Sequence, residues 1–162
     1  MYNFLSPTEI EVGYSKKQNK PIKFILNLNN YRNAFFRILN TAKQNYKLVM
    51  DEQFSKHDKK EMNHLFRKII TVYTIYKGDK RRCDIGNIAS IHQKFFEDAF
   101  VENGCLFDDN YNNIPMCIFL WGGIDKNNPR VEVSVYDLLT RKDVKELQVL
   151  LLDKLGEYIV ED

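Results

Sequence analysis

RRCDIGNIASIHQKFFEDAFVENGCLFDDNY, residues 81–111, places bases, acids and an apolar helical stripe in one short unit. Ile88, Ile91, Phe95, Phe96, Ala99 and Phe100 recur at three- and four-residue steps, which puts them on one face of a helix turned toward a core. Asp84 falls at the start of that helix, where a carboxylate caps free backbone N–H groups and meets the positive end of the helix dipole. Gly104 ends it, and Asp108 and Asp109 follow a few residues later. A strand, a helix and a short return are expected to bring these carboxylates together beside the basic run Lys80, Arg81 and Arg82.

Upstream, residues 68–76 alternate Ile70, Val72, Thr74 and Tyr76 with Ile69, Thr71, Tyr73 and Ile75. Both faces are apolar or β-preferring, as in an inner strand. Downstream, residues 114–121 form a second strand, and Val131, Val133 and Val135 alternate with Glu132, Ser134 and Tyr136 in a third. The turn residues between them, Gly122, Gly123 and 127–129, predict two antiparallel neighbours joined by a loop.

Toward the beginning, a short strand is expected at 9–12 and a half-buried one through Ile22, Phe24 and Leu26. The asparagines at 27, 29 and 30 then cap a helix running from Tyr31 to about Phe54, from whose first turns Arg32 and Arg37 project. The last segment, residues 143–160, starts at Asp143 as a candidate N-cap. It carries Val144, Leu147, Leu151, Leu155 and Tyr158 on one face, which must pack on the sheet or on a second subunit. These elements make one α/β (α+β) domain over residues 1–162, with a small mixed sheet packed against helices.

The formal net charge of +2 is close to neutral, so a polyanionic partner is indicated only by where the bases lie. They lie in groups: Lys16, Lys17, Lys20 and Lys23; then Lys56, Lys59 and Lys60; then Lys77, Lys80, Arg81 and Arg82. Three cysteines without paired spacing exclude a disulfide framework, and with His57, His64 and His92 they make no zinc motif. No leader-like start and no apolar run long enough for a bilayer is visible, so a cytoplasmic protein is expected. Neither a P-loop nor a nucleophile elbow is present.

Carboxylates held together repel unless a cation balances them, and magnesium needs few protein carboxylates when phosphate oxygens complete its shell. Asp84, Asp108 and Asp109 beside Lys80, Arg81, Arg82 and Lys94 therefore suggest a magnesium site acting on a phosphodiester, with manganese as an alternative metal. Lys16, Lys17, Lys20 and Arg32 extend the candidate DNA-binding surface.

This spacing resembles the RusA family of Holliday-junction resolvases. Asp84-Ile85-Gly86-Asn87 resembles that family's Asp-x-Asp-Asn helix opening, Lys94 its helical lysine, Asp98-Ala99-Phe100 its Asp-Ala-Leu, and Asp108-Asp109 its acidic pair. Residues 130–133 resemble its final strand, so the similarity spans most of 68–136. Gly86 stands where the family has a second aspartate, and four extra residues separate Asp84 from Lys94. The resemblance implies a homodimeric, magnesium-dependent endonuclease of branched DNA, with Asp84, Asp109 and Lys94 catalytic and Asn87 and Asp98 supporting. Two readings stand beside it: a junction-binding protein of the same fold that has lost cleavage, and a non-catalytic adaptor whose acids are caps.

Overall fold

The computed structural model describes residues 1–57 and 66–157. Lys59, Lys60, His64 and Tyr158 lie outside the described residues. The elements are β1 (Tyr2–Ser6), β2 (Glu9–Ser15), β3 (Lys20–Ile25), α1 (Leu28–Asn33), α2 (Phe36–Lys56), β4 (Ile69–Lys77), α3 (Ile85–Glu102), β5 (Met116–Ile124), β6 (Arg130–Asp137) and α4 (Arg141–Glu157). They build a mixed four-stranded sheet in the order β1-β6-β4-β5 and a separate β2-β3 hairpin, so the α+β class expected from the sequence is the one found.

β4 is the inner strand its composition demands. Ile69, Tyr73 and Ile75 enter the main core on one face, while Ile70 and Val72 join a smaller cluster on the other. It pairs in parallel with β5 and antiparallel with β6. The strands β5 and β6 are therefore not neighbours, contrary to the hairpin expected of them. β4 is the strand most apolar on both faces, so it takes the position between them, and the loop 125–129 crosses the end of β4. Asp125 N–H donates to the Lys77 carbonyl at 2.7 Å, and a Cβ at Gly78 would already touch the Pro129 ring at 3.4 Å.

β1, which the sequence leaves irregular, pairs with β6 from Tyr2↔Val135 to Ser6↔Val131. The expected strand at 9–12 is the first half of β2. It pairs with β3, whose Phe24 is buried and whose Ile22 is 47% exposed, so only part of the expected inward face is covered.

The single helix expected from Tyr31 is two. Asn27 caps α1 by accepting from Asn30 N–H, and Ala34 and Phe35 adopt extended backbone before α2 begins. No proline or glycine marks this break. α1 is tied toward α3 by Leu28 N–H donating to Asn87 Oδ1 at 3.0 Å, while α2 follows its own buried stripe of Ala42, Tyr46, Met50 and Phe54.

The helix α3 lies between α2 and the sheet, and its phenylalanines form the centre of the core. Phe96 and Phe100 stack at 5.4 Å, and Phe54 meets Phe100 edge-on at 5.3 Å, geometries that aromatic pairs favour. On the opposite face of the sheet, α4 buries Leu147 and half-buries Leu150 and Leu151 over Ile70, Val72 and Tyr136. Val149, Leu152 and Leu155 remain exposed on α4. Asp143 does not cap this helix. The helix starts at Arg141, and the buried Asp143 carboxylate accepts from Asp137 N–H at 3.0 Å and from the Met1 amino group at 2.7 Å. Among the described residues no helix is long and apolar enough to cross a membrane.

Candidate functional site

The unit β4-α3-β5 is a parallel crossover, so the loop before α3 and the loop after it lie at opposite ends of the sheet. This decides the fate of the acidic cluster. Eighteen helical residues rise about 27 Å, so the head of α3, capped by Asp84, is that far from its foot, beyond which Asp108 and Asp109 follow. Among the described residues no group of three histidines, cysteines, aspartates or glutamates could hold a metal ion. Within one chain the three aspartates are thus not brought together: the short return expected after the helix lies at the other end of the sheet from Asp84.

Asp84 and Asp108 are engaged locally. Asp84 caps α3 as expected, accepting from Gly86 N–H at 2.8 Å. Asp108 accepts from Asp109 N–H at 2.9 Å and from the Asn110 amide at 2.6 Å, which is turn chemistry. Lys94 lies ten residues along α3 from Asp84, about 15 Å up the helix, and it faces Asp98 at 3.9 Å. Asp98 pairs more closely with Lys43 of α2, at 2.8 Å, so it joins two helices rather than supporting a catalytic group. Gly86 has no positive φ, and a Cβ there would stand 3.3 Å from Asp84 Oδ1.

What the fold does assemble is a basic rim at the carboxyl ends of the parallel strands, where open α/β sheets offer a crevice for ligands. The loop leaving β4 exposes Lys80, Arg81 and Arg82, and none of the three has an ion-pair partner among the described residues. These bases, with Ile85 and the half-buried Trp121 of β5, line a surface depression of about 360 Å³. Lys77 holds the loop in place: its ammonium donates to the Arg81 carbonyl at 2.5 Å and pairs with Asp79 at 2.8 Å. That contact with Lys77, and then the Arg81 N–H bond, hold the Asp79 carboxyl below its ordinary range. Across the rim, Arg130 is locked by Glu132 and Asp125, both at 2.7 Å, with its guanidinium 4.0 Å from the centre of the Tyr76 ring. Gly122 is required here, because a Cβ would come within 2.6 Å of that ring.

Of the other expected DNA contacts, Arg32 is exposed one turn beyond Asn29, on the same side of α1. Lys16, Lys17 and Lys20 are exposed at the tip of the β2-β3 hairpin. From Lys20 to Ile25 the strand runs about 17 Å, so the hairpin tip is well away from the rim. Asn87 carries its amide beside the rim but serves α1 with its oxygen.

Behind the rim is a cavity of about 470 Å³, walled by Ile75, Ile88 and Val131, with Asn27, Asn29 and Asn87 at its polar side. His92, to which the sequence assigns no special role, lines it. The ring is fully buried, its Nδ1 lies 2.7 Å from Ser6 Oγ, and that hydroxyl lies 2.7 Å from Tyr46 Oη. Its Nε2 has no partner among the described residues. Burial pushes the imidazole down to about 3, so it is neutral at physiological pH. The signal missed in the sequence was a histidine next to the apolar stripe. Its partners come from β1 and α2, too far away in sequence to be read.

Glu97, midway along α3, is a buried acid. Oε1 accepts from Thr71 Oγ1, Tyr73 Oη and Cys117 Sγ at 3.2, 3.2 and 3.3 Å, and Oε2 from the Gln93 amide at 3.2 Å. Desolvation raises its carboxyl above the ordinary range despite these donors. Above the unfolded carboxyl value the unfolded chain gives up a proton that the native state keeps, so this contribution to stability falls as pH rises from about 4.5. Glu97→Gln removes that fall while keeping an acceptor for Tyr73. Denaturant melts of both proteins from pH 4 to pH 8 should show the variant gaining on the wild type as pH rises; parallel curves would place the titration elsewhere. Glu97→Ala leaves buried hydroxyls unpaired, at about 1–3 kcal/mol for each group.

Compared with known proteins, the chain matches no family model and no curated relative.

Proposed function

We propose that the protein binds branched DNA, and that the rim formed by residues 79–82, Trp121 and the head of α3 is its phosphate-binding face. The observation that carries this reading is the set of exposed, unpaired cations Lys80, Arg81 and Arg82 around a half-buried indole at the carboxyl end of a parallel strand pair. Cations free of internal partners are available to phosphates, and an aromatic face among them offers a surface for a base. The resemblance of residues 68–136 to junction resolvases supports branched DNA over linear duplex. A homodimer is part of the proposal, because a four-way junction presents two-fold symmetry and α4 exposes Val149, Leu152 and Leu155 beside its packed face.

Cleavage is the competing reading. Since α3 separates Asp84 from the loop that carries Asp109, and the two loops lie at opposite ends of a parallel crossover, a cutting centre using both would have to draw them from two copies. The experiment is a titration of a synthetic four-way junction and of duplex arms of matched sequence, run with and without magnesium. Salt-sensitive preference for the junction without nicking supports the proposal. Paired nicking with magnesium replaces it by the endonuclease. No salt-sensitive binding leaves the adaptor. Sedimentation at micromolar concentration checks the dimer, and a monomer removes that part.

A further inference from the structure

We infer that the cavity behind the basic rim receives one unstacked nucleobase of the bound DNA. The inference rests on the DNA-binding reading but concerns a different part of the surface.

Three features of the cavity lead to it. Its volume of about 470 Å³ lies within the usual range for sites that take small organic groups, roughly 300–1,000 Å³. Its walls are mixed in the way a nucleobase is: Ile75, Ile88 and Val131 offer apolar surface to a ring, and Asn29 and Asn87 offer amides to its edge. Lys77, Asp79 and Arg81 also line it, and with Lys77 paired to Asp79 the exposed Arg81 is the cation left for the phosphate of a nucleotide whose base enters.

The fourth feature is a fixed donor with nothing to bond. Tyr46 Oη has Ser6 Oγ as its hydrogen-bond partner, and burial keeps the phenol protonated, so it donates to Ser6. Ser6 then gives its own proton to His92 Nδ1, at 2.7 Å. With Nδ1 accepting, the neutral imidazole carries its proton on Nε2, the atom that lacks a partner. A fully buried N–H without an acceptor is costly, and because His92 forms the closed inner wall of the cavity, an acceptor on a base, a ring nitrogen or a carbonyl oxygen, would satisfy it only where that wall yields to the entering edge. Proteins that hold a base out of its stack read it in this manner, by hydrogen bonds to its edge between apolar walls. A branch point, where stacking is interrupted, supplies such a base at lower cost than a continuous duplex.

The test places 2-aminopurine at the branch of a four-way junction and follows its fluorescence as protein is added. A base withdrawn from the stack into the cavity brightens several-fold and is shielded from acrylamide quenching. Asn29→Trp, at an exposed position on the cavity wall, should abolish both signals while the junction still binds through the rim. Binding without brightening overturns the pocket and leaves the rim standing. Brightening that acrylamide quenches freely, or that survives in Asn29→Trp, overturns the pocket as the place where the base goes. No binding overturns both readings. The quenching comparison uses the wild-type protein alone, so it decides the question even if the tryptophan variant does not fold.

Discussion

Replacing Lys80, Arg81 and Arg82 together by alanine is expected to weaken junction binding about a hundredfold at 0.15 M salt. The estimate follows from counterion release. Each phosphate neutralised contributes about 0.9 to the slope of log affinity against log salt, so three contacts contribute about 2.7. Extrapolated to 1 M salt, where such contacts cease to favour binding, that slope amounts to roughly two decades. The three side chains are exposed and without ion-pair partners among the described residues, and the attraction of Arg81 for Asp79 is the weak surface kind, so their removal should leave the melting transition nearly in place. Affinity measured at several salt concentrations separates a lost phosphate contact from a general loss of fold. An unchanged slope would take this loop out of the interface.

The second large effect concerns His92 and acid. Its imidazole is fully buried and its value is pushed down to about 3 by desolvation, against an ordinary value of 6.5. Between those values the unfolded chain binds a proton that the native state refuses. Stability therefore falls as pH drops from about 6.5 toward 3, by on the order of 4 kcal/mol if the whole interval is crossed. His92→Leu cannot take up that proton. It gives up the bond from Ser6, which costs about 1–3 kcal/mol at neutral pH, but its stability should fall less steeply on acidification. Denaturant midpoints from pH 7 down to pH 4 for both proteins are the measurement. Equal slopes would show that the histidine is hydrated in the native state and not held neutral by burial. Glu97 titrates with the opposite sign, so the comparison is best made between single variants and the wild type at each pH.

Much of the fold could be read locally. The stripe of α3, the cap at Asp84 and the two-faced character of β4 are all present in short windows, and the structure keeps each of them. Pairing was another matter. Nothing near 114–121 or 131–136 shows that β4 will stand between them, because strand order is set by which strand can bury both faces, a property of the whole sheet. The acidic cluster failed for a related reason. A turn after a helix was taken to return the chain to its starting point, but the parallel crossover leaves Asp108 and Asp109 one helix length away. The basic loop was legible because its residues are consecutive. The cavity was not, since its walls come from β3, α1, β4, α3 and β6, and its one unusual atom is made unusual by Ser6 and Tyr46.

The position of Ser6 also bears on how the molecule assembles. β4, α3 and β5 are consecutive in the chain and can pair early, and β6 follows directly. β1 comes from the far end, and its pairing with β6 closes a loop of well over a hundred residues, an entropic cost met only when the rest of the sheet is there to receive it. As an edge strand it pairs with β6 alone, and Gln53 of α2 bonds both the N–H and the carbonyl of Leu5, at 2.7 Å each, so β1 leaves the sheet only when that clasp is released. Opening it removes Ser6 from His92 and releases the ring from a fixed tautomer. Slow exchange of the amides of β4 alongside faster exchange in β1 would show that the strand which fixes the proton of a fully buried ring is also the one that opens first.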